Sequence, residues 1–415
     1  MQVPLANKME RTEEVQHLTE HGCSVLCLGC PEGMLFGIDY AAWSVGPSFM
    51  GIKLVPPGLH YVYCSASAAE DIGISRTGFF LYMKPRDVAV FRWDPENEEL
   101  ARPDSHDEEA RYADGVRGFD FDQNLGPYPL ELSAQWQELT RHATPELVGR
   151  IEPVSKAIRS KRAEYDASSE ALLPKPPEPE IHLDSMDGAD GDEVMLMADV
   201  DANPEEVPKS GSAPPQRPAG DSNLESNASS GCLFFSSLPR RRKKAASTAV
   251  ETTQLYMDRS AQLEEMIQKD YAGNEFGVLG ELQLAYIAFL LGQNYDGFEQ
   301  WRALLQLLCG CESAVERRTE LYAELCRCFF AQLNQAPADL FGDDLTKDNF
   351  MGTCALQLLE LCDSEASPQK LRRRCGKLRE LVLEKFGLSA EDLGLLGEDA
   401  PLIVEEDGTD LVGWG

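Results

Sequence analysis

Leu59-His-Tyr-Val-Tyr-Cys64 alternates with the two-residue period of a β-strand, and the residues around it read the same way. Pro56-Pro57-Gly58 stands directly before it: two fixed φ angles and a permissive glycine reverse the chain into the strand. Upstream, Ser24-Val-Leu-Cys-Leu28 is another short apolar run. Downstream, Gly78-Phe-Phe-Leu-Tyr-Met83 and Val88-Ala-Val-Phe-Arg-Trp93 flank Lys84-Pro-Arg-Asp87 and read as a hairpin. No helical period runs through these segments, apart from one short acidic helix expected over Glu10 to Glu20. After Pro103 helices are predicted over Leu130 to Arg141 and over Pro145 to Ile151, the second opened by a first-turn proline. The predicted N-terminal domain is therefore β-rich with trailing helices and covers residues 10–160.

From about residue 250 the period changes. Leu279, Leu282, Tyr286, Phe289 and Leu290 recur at three- and four-residue steps, Gly292 stops that helix, and Tyr295, Phe298, Trp301, Leu304, Leu305 and Leu308 resume the spacing. Ser313 to Gln332, Thr346 to Cys362 and Pro368 to Phe386 continue it, with Ser367-Pro368 as cap and first-turn proline. These antiparallel helices predict an all-α, helical-repeat-like domain over 250–390, and thus a two-domain α+β chain. Between the domains, residues 164–230 carry 16 Asp/Glu, three Lys/Arg and nine Pro. Such a composition buries too little apolar area to offset its ordering entropy, so a disordered acidic linker is expected there. Residues 391–415 read as an extended tail.

Acidic residues outnumber basic ones by 70 to 38 across 415 residues, a net charge of -32 that argues against a phosphate backbone as the main partner. The longest apolar run, Leu284 to Leu291, is far short of the roughly 20 residues a bilayer span needs. The opening MQVPLANKMERTEE is polar where a secretory signal carries its apolar core, so a reducing compartment is expected and the 12 cysteines are expected as thiols.

Catalytic spellings are few. Cys23-x-x-x-Cys27-x-x-Cys30 has the spacing of cluster-binding enzymes, but an extended strand sets Cys23 and Cys27 about 13 Å apart, and small buried side chains are the plainer reading. Cys309-x-Cys311 and Cys326-x-Cys328 suggest paired zinc ligands until they are put on helices, where residues two apart point away from each other. All six histidines (17, 21, 60, 106, 142 and 182) precede residue 183, and His60 reads as a half-buried strand residue rather than a base. No phosphate-binding glycine loop, nucleophile elbow or H-E-x-x-H motif occurs, so no catalytic residue, cofactor or metal is assigned. The one strong cationic run, Arg240-Arg241-Arg242-Lys243-Lys244, reads as a nuclear-import peptide, with a solvated gatekeeper run or a nucleic-acid contact as alternatives. Ser247 and Thr248 beside it are candidate phosphosites.

Phe36-Gly37-Ile38-Asp39-Tyr40, Trp43, Val45-Gly-Pro47, Phe49, Gly51-Ile-Lys53 and Pro56-Pro57-Gly58-Leu-His60 closely resemble the N-terminal signature of the Aar-two splicing-factor family. Gly78-Phe-Phe-Leu81, Leu125-Gly-Pro-Tyr-Pro129, Gly280-Glu-Leu-Gln283, Phe289-Leu-Leu-Gly292, Phe298-Glu-x-Trp301, Pro337-Ala-Asp339 and Asp348-Asn-Phe350 follow in family order. The resemblance spans roughly 20–155 and 250–404. It implies a sandwich-like β-domain, an α-helical domain and no enzymatic activity. It further implies an assembly chaperone of the U-five snRNP that binds the Prp-eight protein through its RNase-H-like and Jab-MPN-like domains. A cytoplasmic and nuclear location is expected, with no membrane, small-molecule or sequence-specific nucleic-acid partner. Leu402, Ile403, Val404 and Glu405 lie in a β-prone stretch that follows the last helix and lacks a strand partner in an all-helical domain. In the family the corresponding tail lies between the two Prp-eight domains, so these residues resemble a strand offered for β-augmentation. The rivals are a generic scaffold with a helical peptide-binding layer and an iron–sulfur enzyme using Cys23, Cys27 and Cys30.

Overall fold

The computed structural model describes residues 15–66, 76–160, 233–239, 258–336, 350–362 and 368–386. Among the described residues ten strands form two five-stranded sheets. The first holds β1 (Cys23–Leu28), β4 (Gly51–Val55), β7 (Val88–Asp94), β8 (Glu99–Ala101) and β9 (Leu125–Pro127) in the order β8-β7-β1-β4-β9. The second holds β2 (Leu35–Ile38), β3 (Ala41–Ser44), β5 (Gly58–Ser65), β6 (Arg76–Met83) and β10 (Ile158–Arg159) in the order β10-β6-β5-β2-β3. Helix α1 (His106–Arg117), capped by Ser105, packs Ala113 and Val116 on Leu26, Leu28 and Val90 and so covers the first sheet's outer face.

Between the sheets lies one core, with Val25, Phe36, Ile52, Val62, Cys64, Leu81 and Phe91 among its members. The second sheet's other face belongs to a different core. Leu59, Tyr61 and Tyr63 of β5 pack there with α2 (Ser133–Leu139), α3 (Pro145–Ile151) and the C-terminal helices. The alternation of Leu59–Cys64 thus sorts side chains between two cores, not between core and water.

Two sequence expectations are corrected here. The runs Gly78–Met83 and Val88–Trp93 are not a hairpin: β6 pairs with β5 and β10, whereas β7 pairs with β1 in parallel and with β8. Lys84–Asp87 closes a turn, with the Asp87 amide donating to Lys84 O at 3.0 Å. That turn carries the chain from one sheet to the other, leaving the Phe79 and Phe91 rings tilted against each other across the sandwich, 4.7 Å between centroids. A four-residue turn fits either outcome; the partners of the flanking strands decide it. Pro56-Pro57 makes a similar sheet change between β4 and β5. His60 is also not half-buried: it is 2% exposed, because its strand is covered on both faces.

Helices α4 (Ser260–Asp270), α5 (Phe276–Leu290), α6 (Tyr295–Cys309), α7 (Glu312–Arg317), α8 (Thr319–Gln335), α9 (Phe350–Cys362) and α10 (Gln369–Phe386) build the C-terminal part. Residues Val278 through Ala288 of α5 are all buried, so the other helices pack around it. Ser313 to Gln332 is two helices rather than one. Arg318 leaves helical geometry between them, its guanidinium bonded to Glu264 and Glu275 at 2.6 Å. The expected helix over Leu130 to Arg141 is shorter, Ser133–Leu139, after a 3₁₀ turn at Leu130–Leu132. Pro145–Ile151 forms as expected, with Thr144 as its cap. No described helix is long and apolar enough to cross a membrane. The linker, the Arg240–Lys244 run, Ser247, Thr248 and Leu402–Glu405 lie outside the described residues.

Tyr61, fully buried under the helices, tests the shared core. Tyr61→Ala should cost about 3–5 kcal/mol, the usual range for removing a large aromatic side chain from a core. Calorimetry should show one cooperative transition moving to lower temperature, not a separate loss of the β-rich part.

Candidate functional site

The motif around residues 36–60 folds into a sealed polar knot. Strands β2 and β3 pair Ile38 with Ala41, leaving Asp39-Tyr40 as a two-residue loop in which Asp39 has φ 54°. That left-handed backbone, which Asp tolerates better than most residues, turns the carboxylate inward. Asp39 Oδ1 accepts the Tyr61 amide at 2.9 Å, and Oδ2 accepts the Tyr128 hydroxyl at 2.7 Å. His60 Nδ1 lies 2.7 Å from the same Oδ2, and His60 Nε2 lies 2.7 Å from Pro56 O. Both ring nitrogens face acceptors, so the ring satisfies both only as an imidazolium donating from each. Burial opposes that charge, but Asp39's charge and the bonds to Asp39 and Pro56 outweigh it and raise the His60 pKa. Asp39 is 1% exposed, so this carboxylate–imidazole pair has no opening to a substrate.

Other motif residues shape the same region. An added Cβ at Gly37 would lie 2.2 Å from the Tyr63 ring, so only glycine lets that ring cross the strand. Gly58 takes φ 141° at the start of β5 after Pro56-Pro57. Ile38 is buried between the sheets. Trp301 is fully buried in the helical core, its Nε1–H donating to Gln332 Oε1 at 3.0 Å. Trp43 differs. It stands on the edge strand β3, 36% exposed, beside a groove of about 560 Å³ lined also by Phe49, Leu54, Pro127 and Tyr128.

A second polar set joins the β-rich part to the helices. Helix α5 approaches so closely that a Cβ at Gly280 would meet His142 O at 2.3 Å. Three residues farther along, the Gln283 side chain accepts the His142 amide at 2.8 Å and donates to Glu138 O at 3.2 Å. Arg327 of α8 grips Glu138 with two bonds of 2.5 and 2.6 Å. Glu324 receives His142 and Arg374. The His142 bond, and with it Arg374, outweighs burial and holds the Glu324 carboxyl down at about 2. Its contribution therefore stands at neutral pH and is lost only as pH falls toward that value.

Glu281, fully buried on α5, is the densest node. Its carboxylate accepts the Ser236 amide at 2.8 Å, the Ser236 hydroxyl at 2.9 Å, the Tyr271 hydroxyl at 2.9 Å, Gln300 Nε2 at 2.8 Å and Arg150 at 2.6 Å. Residues 233–239, just after the acidic segment, are thereby strapped across the joint. The Phe234 amide donates to Ile151 O, Gln300 donates to Ser236 O, and Leu233 sinks into the helical core.

The cysteines divide. Cys23 Sγ donates to Lys84 O at 3.0 Å, whereas Cys27 is buried between the sheets and Cys30 packs at the edge of that core. Cys311 lies past the end of α6, not on it, and donates to Leu307 O, while Cys309 is buried in the helical core. The expectation that put Cys309 and Cys311 on one helix is corrected by the break at Gly310. Among the described residues no group of three or more His, Cys, Asp or Glu is arranged to hold a metal.

These two bodies of structure match known sequences in the same order. Residues 21–153 match the AAR2 N-terminal domain and residues 235–391 match the AAR2 C-terminal repeat region. The chain belongs to the AAR2 (Aar-two) family. The Protein AAR2 homolog of Mus musculus is 33% identical over 399 residues, 95% of this chain and 96% of that protein. The Homo sapiens homolog is 31% identical over 403 residues, with the same coverage, and the Caenorhabditis elegans homolog 28% over 381 residues, 90% of this chain and 96% of the relative. Within this AAR2 chain, sequence reasoning pointed to Asp39 as a motif residue but missed Glu281 and Glu324 as nodes of the joint. The legible clue was two polar residues, Glu281 and Gln283, inside the otherwise apolar run of α5.

Two measurements test these knots. His60 has a raised folded pKa, so its stabilisation is complete below the unfolded value of about 6.5 and is lost as pH rises through the folded one. His60→Gln should therefore be less stable than the parent by on the order of 3 kcal/mol at pH 6, with the gap narrowing toward pH 9 in denaturant titrations. Glu281→Ala should release residues 233–239. Amide exchange at Phe234 and Ser236 should then accelerate far more than in α6 or α8, as mass spectrometry of the exchanged protein would show.

Proposed function

We propose that this chain is a non-catalytic assembly chaperone in pre-mRNA splicing, acting in U-five snRNP biogenesis by binding Prp-eight through its RNase-H-like and Jab-MPN-like domains. The observation that carries the reading is AAR2 family membership across both parts of the chain. A physical argument supports the non-catalytic side. The one carboxylate–imidazole pair in the motif region is buried and committed to internal partners, and a general base must reach its substrate. The shared core supports a binding role too, because parts already packed on one another need less ordering when they dock.

The contact we assign to the partner is the tail. Leu402, Ile403, Val404 and Glu405 supply a β-prone strand whose backbone would add to a sheet edge of Prp-eight. The Arg240–Lys244 run would serve import, fitting a protein that works in both cytoplasm and nucleus, with Ser247 and Thr248 placed to modulate it. Truncation after Glu398 tests the docking strand by calorimetric titration against a Prp-eight fragment holding both domains. Most of the affinity should go while the melting temperature stays unchanged. Retained affinity would favour the alternative, a scaffold whose helical layer takes the partner.

A further inference from the structure

The first eleven residues of helix α10, Gln369 to Arg379, hold six cations and no acid, in a chain whose net charge is -32. Folding gains little from that arrangement. Lys370 and Arg374, like Arg373 and Lys377, stand four residues apart on the helix, where like charges repel. All six also crowd toward the helix start, where the macrodipole already disfavours positive charge. Helix α8 answers two of them: Lys370 reaches Glu320 at 2.6 Å, and the buried Arg374 reaches Glu324 at 2.5 Å. Arg372 and Arg373 are exposed, and among the described residues no carboxylate pairs with either. One turn past them is Gly376, where an added Cβ would meet nothing within 4 Å. Glycine weakens a helix interior relative to alanine, and no described atom uses the space it leaves. Leu371, Cys375, Leu378 and Val382 turn into the helical core, so the outward side of this stretch offers charge and no apolar anchor.

We propose that this face of α10 binds the phosphate backbone of RNA, with Arg372 and Arg373 as its contacts and Gly376 as the gap that lets a sugar–phosphate strand come close. Charge complementarity selects a polyanion, and the make-up of the face selects among polyanions. An acidic protein surface would be held by an aromatic or aliphatic anchor set among the charges, and the outward residues here supply none. Arginine's planar fork matches a phosphate with two parallel bonds, and phosphate contacts need no apolar partner. Such contacts position a strand without reading its sequence, in keeping with the lack of exposed aromatic rings on this helix for bases to stack on. The negative charge of the whole chain opposes long-range attraction, so the contact is short-ranged and salt-sensitive. The choice of RNA rests on the splicing role proposed above, but the contact is independent of the tail. Loss of one would leave the other standing.

Fluorescence anisotropy of a labelled RNA duplex of about 20 base pairs, titrated with the full-length chain between about 50 and 200 mM salt, reads the contact. Affinity should fall with salt on a log–log slope near -2, about -0.9 for each of two phosphates engaged. Arg372→Gln with Arg373→Gln should weaken binding by about tenfold or more and flatten that slope, at an unchanged melting temperature. Gly376→Leu should raise the melting temperature, because leucine is the better helix former, and yet weaken binding, a combination that a merely structural glycine would not give. Neutralising two exposed arginines elsewhere, Arg111→Gln with Arg117→Gln on α1, should leave binding unchanged, as should truncation after Glu398. No binding at the lowest salt, an equal loss in the α1 variant, or undiminished binding by Gly376→Leu would overturn the assignment. So would displacement of the RNA by polyglutamate at equal charge, which would mark a face for an acidic protein.

Discussion

Strand β5 is covered on both faces, and most of the architecture follows from that. Leu59, Tyr61 and Tyr63 belong to the core beneath the helices, while Val62 and Cys64 belong to the core between the sheets. A strand with two apolar faces cannot sit at the surface of an independent sandwich without exposing three large side chains to water, a loss of roughly 2 kcal/mol or more for each. The β-rich part therefore needs the helices, and α2 and α3 serve as the layer that fits one to the other. In this family protein the two matched sequence regions are two lengths of chain around a common interior.

Three buried or half-buried carboxylates, at the joint and in the motif, are answered by several donors each. Glu281 takes five donors, Glu138 takes a two-pronged arginine, and Asp39 takes a histidine, a tyrosine and a backbone amide. Buried ion pairs contribute little net stability against apolar groups of equal size, because desolvation offsets most of the attraction. Their effect is on alternatives. A slipped helix or a shifted strand would leave one of these charges buried without its partners, costing several kcal/mol, whereas a slipped apolar contact is partly remade. The apolar core supplies affinity between the parts and the polar nodes fix their register.

How much of this was legible in sequence depends on the range of the interaction. Short-range geometry read well: the strand at Leu59–Cys64 and the helix Pro145–Ile151 both depend on residues within a few positions. What failed was pairing. A four-residue turn cannot say whether its flanking strands pair with each other, and β6 and β7 each found a better partner elsewhere, β5 and β1. His60 was misjudged for the same reason, since period-two alternation cannot distinguish water from a second core on one face. Glu281 and Gln283 were visible as polar residues in the apolar helix α5, but their partners lie at Ser236, Arg150 and His142, up to 141 residues away in sequence.

A joint held this way also bears on the acidic segment between the two parts. The cost of closing a loop rises only with the logarithm of its length, about 0.6 kcal/mol per doubling, so a long insertion between Ser160 and Leu233 weakens the joint little. Contacts that span the insertion, among them Tyr61 under the helices, Arg76 to Leu291 O at 2.7 Å and Asn294 to Arg159 O at 3.0 Å, do not pass through it. The segment's length and sequence are thus released from any duty of orienting the two parts. The strap at residues 233–239 shows where that freedom ends: directly after the insertion, Phe234 and Ser236 are tied to both sides of the joint at once. At its C-terminal end the insertion joins the fold through Leu233, Phe234 and Ser236, and Glu281 is the group that holds Ser236.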